Sequence, residues 1–198
     1  LKGDYLYMSE TSGIGAHGIS VLNLKNKKIT SIIPDDCHSI LNAMTSLNNP
    51  IPYAAGMECD GKKEIIYFDQ NNRDAQILSQ LAPSFPDKTV SLGNWTDAND
   101  RALLTISDSS VVQEVFLLDL KQGALKPIGR TSNVPKDRLH KMVSKKFTTR
   151  DGENIYGYLT MPKGEVERLI VYIHGGPYGI RDFDSYDFSE QYLASKGA

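Results

Sequence analysis

The residues best suited to chemistry in this 198-residue chain are His174, Gly175, Gly176 and Pro177, which follow the apolar run Leu169, Ile170, Val171, Tyr172 and Ile173. Two consecutive glycines lack the Cβ atoms that would keep a ligand away from the backbone, so their N–H groups can donate to a developing negative charge. The chemistry this suits is stabilisation of the oxyanion formed when a carbonyl carbon becomes tetrahedral. A His at this position donates to an oxyanion only when protonated or in the suitable tautomer. Taken alone, the same four residues also read as a turn closing a buried strand, with Gly supplying positive φ and Pro preventing continuation.

An oxyanion loop needs a rigid support. Residues 169–173, apolar at every position, predict a strand buried on both faces within a parallel sheet, its carboxyl end carrying the loop. Upstream, Val143 to Thr149, then Arg150-Asp151-Gly152, then Ile155 to Met161 predict a hairpin, because Asp-Gly supplies a turn and the flanks alternate. Downstream, residues 188–196 predict a helix with Tyr192 and Leu193 facing inward. Hairpin, buried strand, loop and helix are the opening elements of an α/β sheet.

Residues 4–131 have a different texture, short alternating apolar runs separated by Gly, Asn, Asp and Lys, which predicts antiparallel β structure. Three segments repeat one form. Ile19 to Lys25, Glu64 to Asp69 and Val115 to Lys121 each end an apolar strand at an equivalent Asn23, Asp69 or Asp119. Spacings of about 46 and 50 residues match a four-stranded propeller blade. Tyr5 to Met8, Tyr53 to Met57 and Ala102 to Ile106 each supply a strand ahead of these, and Thr89 to Trp95 adds one more. About two to three blades are therefore present, and since a closed propeller usually has about four to eight, the others are expected upstream of Leu1. Arg73 to Leu81, with Ala75, Ile77, Leu78 and Leu81 on one face, predicts a short helix inserted between strands.

The organisation expected is a partial β-propeller over 1–131, a linker over 132–141 containing Pro135, and the N-terminal part of an α/β-hydrolase domain over 142–198. A formal net charge of -2 and the lack of a basic stripe argue against nucleic acid as a partner. No run approaches the roughly 18 apolar residues of a membrane span. Cys37 and Cys59 have neither C-x-x-C spacing nor a His cluster suited to zinc, and no metal or cofactor is expected. His17, His38 and His140 read as ordinary surface or satisfied histidines, Ser109-Ser110 as a solvated turn, and Lys25, Lys27 and Lys28 as a solvated hairpin tip. Trp95 and the blade tyrosines read as packing between blades.

The propeller texture, the linker, F-T-T-R-D-G-E-N-I-Y-G-Y-L-T-M-P-K-G at 147–164 and H-G-G-P-Y-G-I-R-D at 174–182 together resemble the prolyl oligopeptidase family of serine peptidases. The acylaminoacyl-peptidase and dipeptidyl-peptidase-like branches look most similar. The resemblance implies a β-propeller followed by an α/β-hydrolase domain, with this chain spanning the junction. It implies a serine-type peptidase that hydrolyses short peptides by acyl transfer, with Gly175 and Gly176 in the oxyanion loop, the Gly176 N–H as the preferred donor, His174 as loop support, and Arg181 and Asp182 as a loop-fixing ion pair. The Ser, Asp and His of such a triad are expected beyond Ala198, since no G-x-S-x-G occurs among the 198 residues. The chain by itself is expected to be inactive. Two other functions fit the same residues, an esterase-type α/β-hydrolase and a non-catalytic propeller scaffold.

Overall fold

The computed structural model describes residues 4–10, 18–33, 39–47, 49–59, 62–176 and 182–198, so His17, Cys37, His38 and Pro177 to Arg181 lie outside the described residues. Strands β1 (Tyr5–Glu10), β2 (Gly18–Asn23) and β3 (Ile29–Ile33) form an antiparallel sheet in chain order. A second antiparallel sheet joins β4 (Ser39–Ser46), β5 (Asn49–Cys59) and β6 (Lys62–Tyr67). After α1 (Arg73–Leu81), the strands β7 (Thr89–Trp95), β8 (Arg101–Asp108), β9 (Val111–Asp119) and β10 (Ala124–Arg130) make a four-stranded meander. These three antiparallel sheets are propeller-like blades. A two-stranded sheet, β11 (Met142–Thr148) with β12 (Asn154–Thr160), and the helix α2 (Phe188–Ser195) complete the chain.

The repeat noticed in the sequence has a physical basis in its turns. Asn23 Oδ1 accepts the Lys25 and Asn26 amides at 2.9 and 3.2 Å, Asp69 Oδ1 accepts Asn71 at 3.1 Å, and Asp119 Oδ1 accepts Gln122 at 3.1 Å. A short side-chain oxygen at a strand end takes up amides that the ladder no longer serves, and so turns the chain. After Asn23 and Asp119 the chain returns as a hairpin strand. After Asp69 it enters α1 instead, because Asn72 caps that helix by accepting the Asp74 and Ala75 amides at 2.8 and 3.3 Å.

Two compact units are present, Leu1–Pro86 with Leu92–Trp95, and Asp87–Ser91 with Thr96–Ala198. The first is held by Ile19 and Ile33 against Ala55 and Met57, all buried, with Ile32, Ile40, Ile66 and Phe68 packed around them. Helix α1 buries Ala75 and Leu78, while Ile77 and Leu81 are half-buried, so the anticipated face is the packed one. Trp95 packs on the first turn of α1, its indole N–H donating to the buried Asp74 at 2.9 Å and its ring lying 4.3 Å beneath the Arg73 guanidinium. Its role in the fold is thus to seat the inserted helix. In the second unit β8 alternates strictly, with Ala102, Leu104, Ile106 and Asp108 buried and Arg101 and Leu103 exposed, as a sheet with one covered face requires.

The sequence expectation differs from the structure at β4, at Ser109 and in the run 169–173, and at α2 as described below. Strand β4 is absent from the expected elements, because its apolar residues come as the adjacent pairs Ile40-Leu41 and Ala43-Met44 and do not alternate with polar ones as a half-buried strand does. Ser109 is buried rather than solvated, since Asp108 folds the turn over it by accepting the Ser110 amide at 2.6 Å. The run 169–173 is neither strand nor buried: Leu169, Val171 and Ile173 are 75, 73 and 81% exposed. A strand buried on both faces needs neighbours on both edges, and no described strand pairs with this one. An α/β sheet is therefore not formed among the described residues.

The candidate oxyanion loop and its supports

The loop is reached through the β11–β12 hairpin, which pairs Met142 with Thr160 at one end and Thr148 with Asn154 at the other. Its turn closes by Thr149 N–H donating to the Glu153 carbonyl at 2.8 Å and Gly152 N–H donating to Thr149 at 3.0 Å, with Gly152 at φ +89°. The Thr149 hydroxyl donates to Asp151 and to the Glu153 carbonyl, and holds the Asp151 carboxyl below its ordinary range. Beyond Pro162 the chain runs without ladder partners to His174. One backbone tether anchors it, Glu167 N–H donating to the Gly197 carbonyl at 2.9 Å just past α2.

At the end of that run His174 Nδ1 lies 2.7 Å from the Gly175 carbonyl. A carbonyl only accepts, so Nδ1 is the donor in this contact. In this geometry the imidazole bonds the loop's own backbone. Gly176 has φ +133°, in the region that L side chains rarely adopt, whereas a Cβ added at Gly175 would meet nothing within 4 Å. The two glycines are thus unequal: Gly176 is required by backbone conformation and Gly175 leaves open space beside the chain. Pro177 and Arg181, expected to complete the loop, lie outside the described residues.

Helix α2 begins at Asp187, whose Oδ1 accepts the Glu190 amide at 3.0 Å. Asp187 and Glu190 have the spacing of a capping box, but the Glu190 carboxylate accepts the Thr160 hydroxyl of β12 at 3.3 Å. Burial, with Asp187 and Asp182 nearby, pushes the Glu190 carboxyl up from its ordinary value. The inward face of α2 carries Gln191 and Ala194, while Tyr192 is 54% exposed and Leu193 half-buried, which corrects the expected orientation of that helix. His140 is buried, with Nδ1 donating to the Met161 carbonyl at 3.1 Å, a satisfied core histidine as expected. Among the described residues no group of His, Cys, Asp and Glu could hold a metal ion, and no helix is long and apolar enough to cross a membrane.

No family model and no curated protein matches this chain. Solved structures do. A Mycobacterium tuberculosis puromycin-hydrolysing peptidase is similar over 98% of this chain and 31% of its own, at 15% identity and a TM-score of 0.59. A puromycin hydrolase is similar over 98% of this chain and 32% of its own, at 14% identity and a TM-score of 0.48. A structure from a study of two prolyl endopeptidases covers 82% of this chain and 24% of its own, at 13% identity and a TM-score of 0.48. The chain therefore spans about a third of the length of the first of these. At such identities the likeness is one of fold.

Proposed function

We propose that this chain is the propeller-to-hydrolase junction of a serine-type peptidase resembling the prolyl oligopeptidase family. Residues 1–131 supply the last blades, 132–141 the linker, and 142–198 the first part of the catalytic domain. The observation that carries the reading is the His174-Gly175-Gly176 loop following an apolar run, with Gly176 at φ +133° where only glycine sits without strain. The fold shared with a puromycin-hydrolysing peptidase along 98% of the chain supports it.

On this reading a nucleophile outside these 198 residues forms a bond to the carbonyl carbon of a short peptide, and the π electrons of that carbonyl move onto its oxygen. The Gly176 N–H donates to that oxyanion, Gly175 lets the substrate approach the backbone, and His174 supports the loop. Collapse of the tetrahedral intermediate expels the amine and leaves an acyl-enzyme for water to hydrolyse. The exposed apolar run 169–173 becomes a buried sheet strand once the rest of that domain covers it.

The test is hydrolysis of aminoacyl p-nitroanilides and of puromycin, an aminoacyl amide, by the product of the complete reading frame and by the 198-residue chain alone. Serine-reagent-sensitive turnover by the complete product, with none by the chain alone, is expected. Turnover by the chain alone, or insensitivity of the complete product to a serine reagent, overturns the reading.

A further inference from the structure

Among the described residues, the buried Gln191 side-chain amide joins three remote stretches of the second unit. Its Oε1 accepts the His140 amide at 2.8 Å, and its Nε2 donates to the His140 carbonyl at 2.8 Å and the Ser109 carbonyl at 3.0 Å. Flipping the amide would set N–H against N–H and oxygen against two carbonyls, so the partners themselves determine its orientation. Ser109 sits in the turn between β8 and β9, His140 just before β11, and Gln191 in the second turn of α2. All three backbone groups fall outside the strand ladders, where a buried N–H or C=O has no other element to serve it.

The contacts of the meander with the linker that leads to the hairpin are of a different kind. Lys136 pairs with Glu114 at 2.6 Å, and the Arg130 guanidinium reaches the Val134 carbonyl at 3.5 Å, both with exposed cations. Such surface contacts contribute little because water competes for both partners. Leu139, Met142 and Ala194, in the linker, β11 and α2, are buried as well. Helix α2 also carries the anchor for the approach to the loop, since Gly197 accepts the Glu167 amide.

We propose that Gln191 is a latch: its amide decides whether α2 and the β11–β12 hairpin stay docked on the four-stranded meander, and releasing it opens that junction while the meander remains folded. The inference goes beyond the peptidase reading and stands on the geometry of the second unit. An apolar replacement leaves three backbone groups unserved in the closed form and served by water in the open form. The closed form is therefore the one that loses.

Hydrogen exchange on the full chain tests it. In Gln191→Leu the Met161 and Glu167 amides, which report the hairpin end and the α2 anchor, are expected to lose about tenfold or more in protection, with β8–β9 ladder amides such as Leu104 and Phe116 within about twofold. Gln191→Glu provides a second readout. Above its pKa the introduced carboxylate faces two carbonyls and repels them, whereas protonation restores one donor. Its protection at Met161 is therefore expected to be lost near pH 7 and regained on acidification, relative to the unsubstituted chain. Equal loss across junction and ladder makes Gln191 an ordinary core contact and overturns the latch, as does unchanged protection at Met161 in both variants.

Discussion

Arg101 and Asp119 stand opposite one another on β8 and β9, and Arg101 Nε donates to Asp119 Oδ2 at 2.9 Å while Asp119 Oδ1 takes the Gln122 amide. The pair therefore joins two strands and turns the chain into β10 with one carboxylate. The Gln122 amide, and then the Arg101 guanidinium, hold the Asp119 carboxyl below its ordinary range, and Lys121 with Thr96 holds neighbouring Asp100 down to about 2. A carboxyl depressed in the folded state stabilises above its unfolded pKa, about 3.9, and that contribution fades as pH falls through the folded value. Asp119→Asn keeps an acceptor for Gln122 but removes the charge facing Arg101. Its melting temperature is expected to fall below that of the parent at pH 7, and the gap to close as the pH is lowered from about 4 toward 2. Thermal denaturation across that range checks it.

The alternation of β8 makes a sharper stability test. Leu104 is fully buried and Leu103 is 41% exposed, although they are adjacent and chemically identical. Leu104→Ala is expected to cost about 2–5 kcal/mol, from lost burial and the cavity left behind. Leu103→Ala should cost less than about 1 kcal/mol. Denaturant unfolding of the two variants reads the difference directly.

What could be read from the sequence is what local chemistry determines. The Asx turns at Asn23, Asp69 and Asp119 and the Asn72 cap act within three residues of themselves, so the repeat and α1 are legible without knowing the fold. Gln191 is the opposite case. A polar residue on a helix reads as solvated, and only the distant carbonyls of Ser109 and His140 explain its burial. The run 169–173 misleads for a related reason, because apolar continuity says that a segment can be buried but not which element will cover it. At the loop, the positive φ expected of the glycines falls on Gly176, while the His174 contact to the Gly175 carbonyl is a detail that composition does not encode.

Trp95 is the single tryptophan, and its indole donates to Asp74, which is 7% exposed. Trp95→Phe keeps most of the ring contact but leaves a buried carboxylate short of a donor, an expected loss of about 1.5–3 kcal/mol. In the parent chain, tryptophan fluorescence should report the melting of the first unit alone. A denaturation midpoint by fluorescence that moves with substitutions on α1, such as Leu78→Ala, and not with Leu104→Ala would bear this out.

Exposure of Leu169, Val171 and Ile173, an uncharged apolar segment with unserved backbone groups, predicts self-association of the 198-residue chain. Sedimentation at increasing protein concentration should show oligomers, and Val171→Lys with Ile173→Lys should return the chain toward a monomer. In a protein where this segment is a buried strand, the same pair of lysines should instead be severely destabilising. Comparing the two settings therefore asks whether the run has a cover elsewhere in the polypeptide.

The two glycines of the candidate loop separate conformation from space. Gly176→Ala places a Cβ at φ +133°, which strains the backbone and moves the N–H assigned to the oxyanion, whereas Gly175→Ala meets nothing within 4 Å. Loss of one oxyanion donor costs about 10²–10³ in turnover where it has been measured, so Gly176→Ala should lower kcat toward that range. KM should move little, because the interaction forms only as the carbonyl becomes tetrahedral. Gly175→Ala should instead retain kcat and raise KM if its Cβ intrudes on the approaching substrate. Steady-state kinetics on the catalytically competent polypeptide, with circular dichroism to show that both variants fold, distinguish these outcomes. Equal kcat for Gly176→Ala and the parent would remove Gly176 from the oxyanion hole.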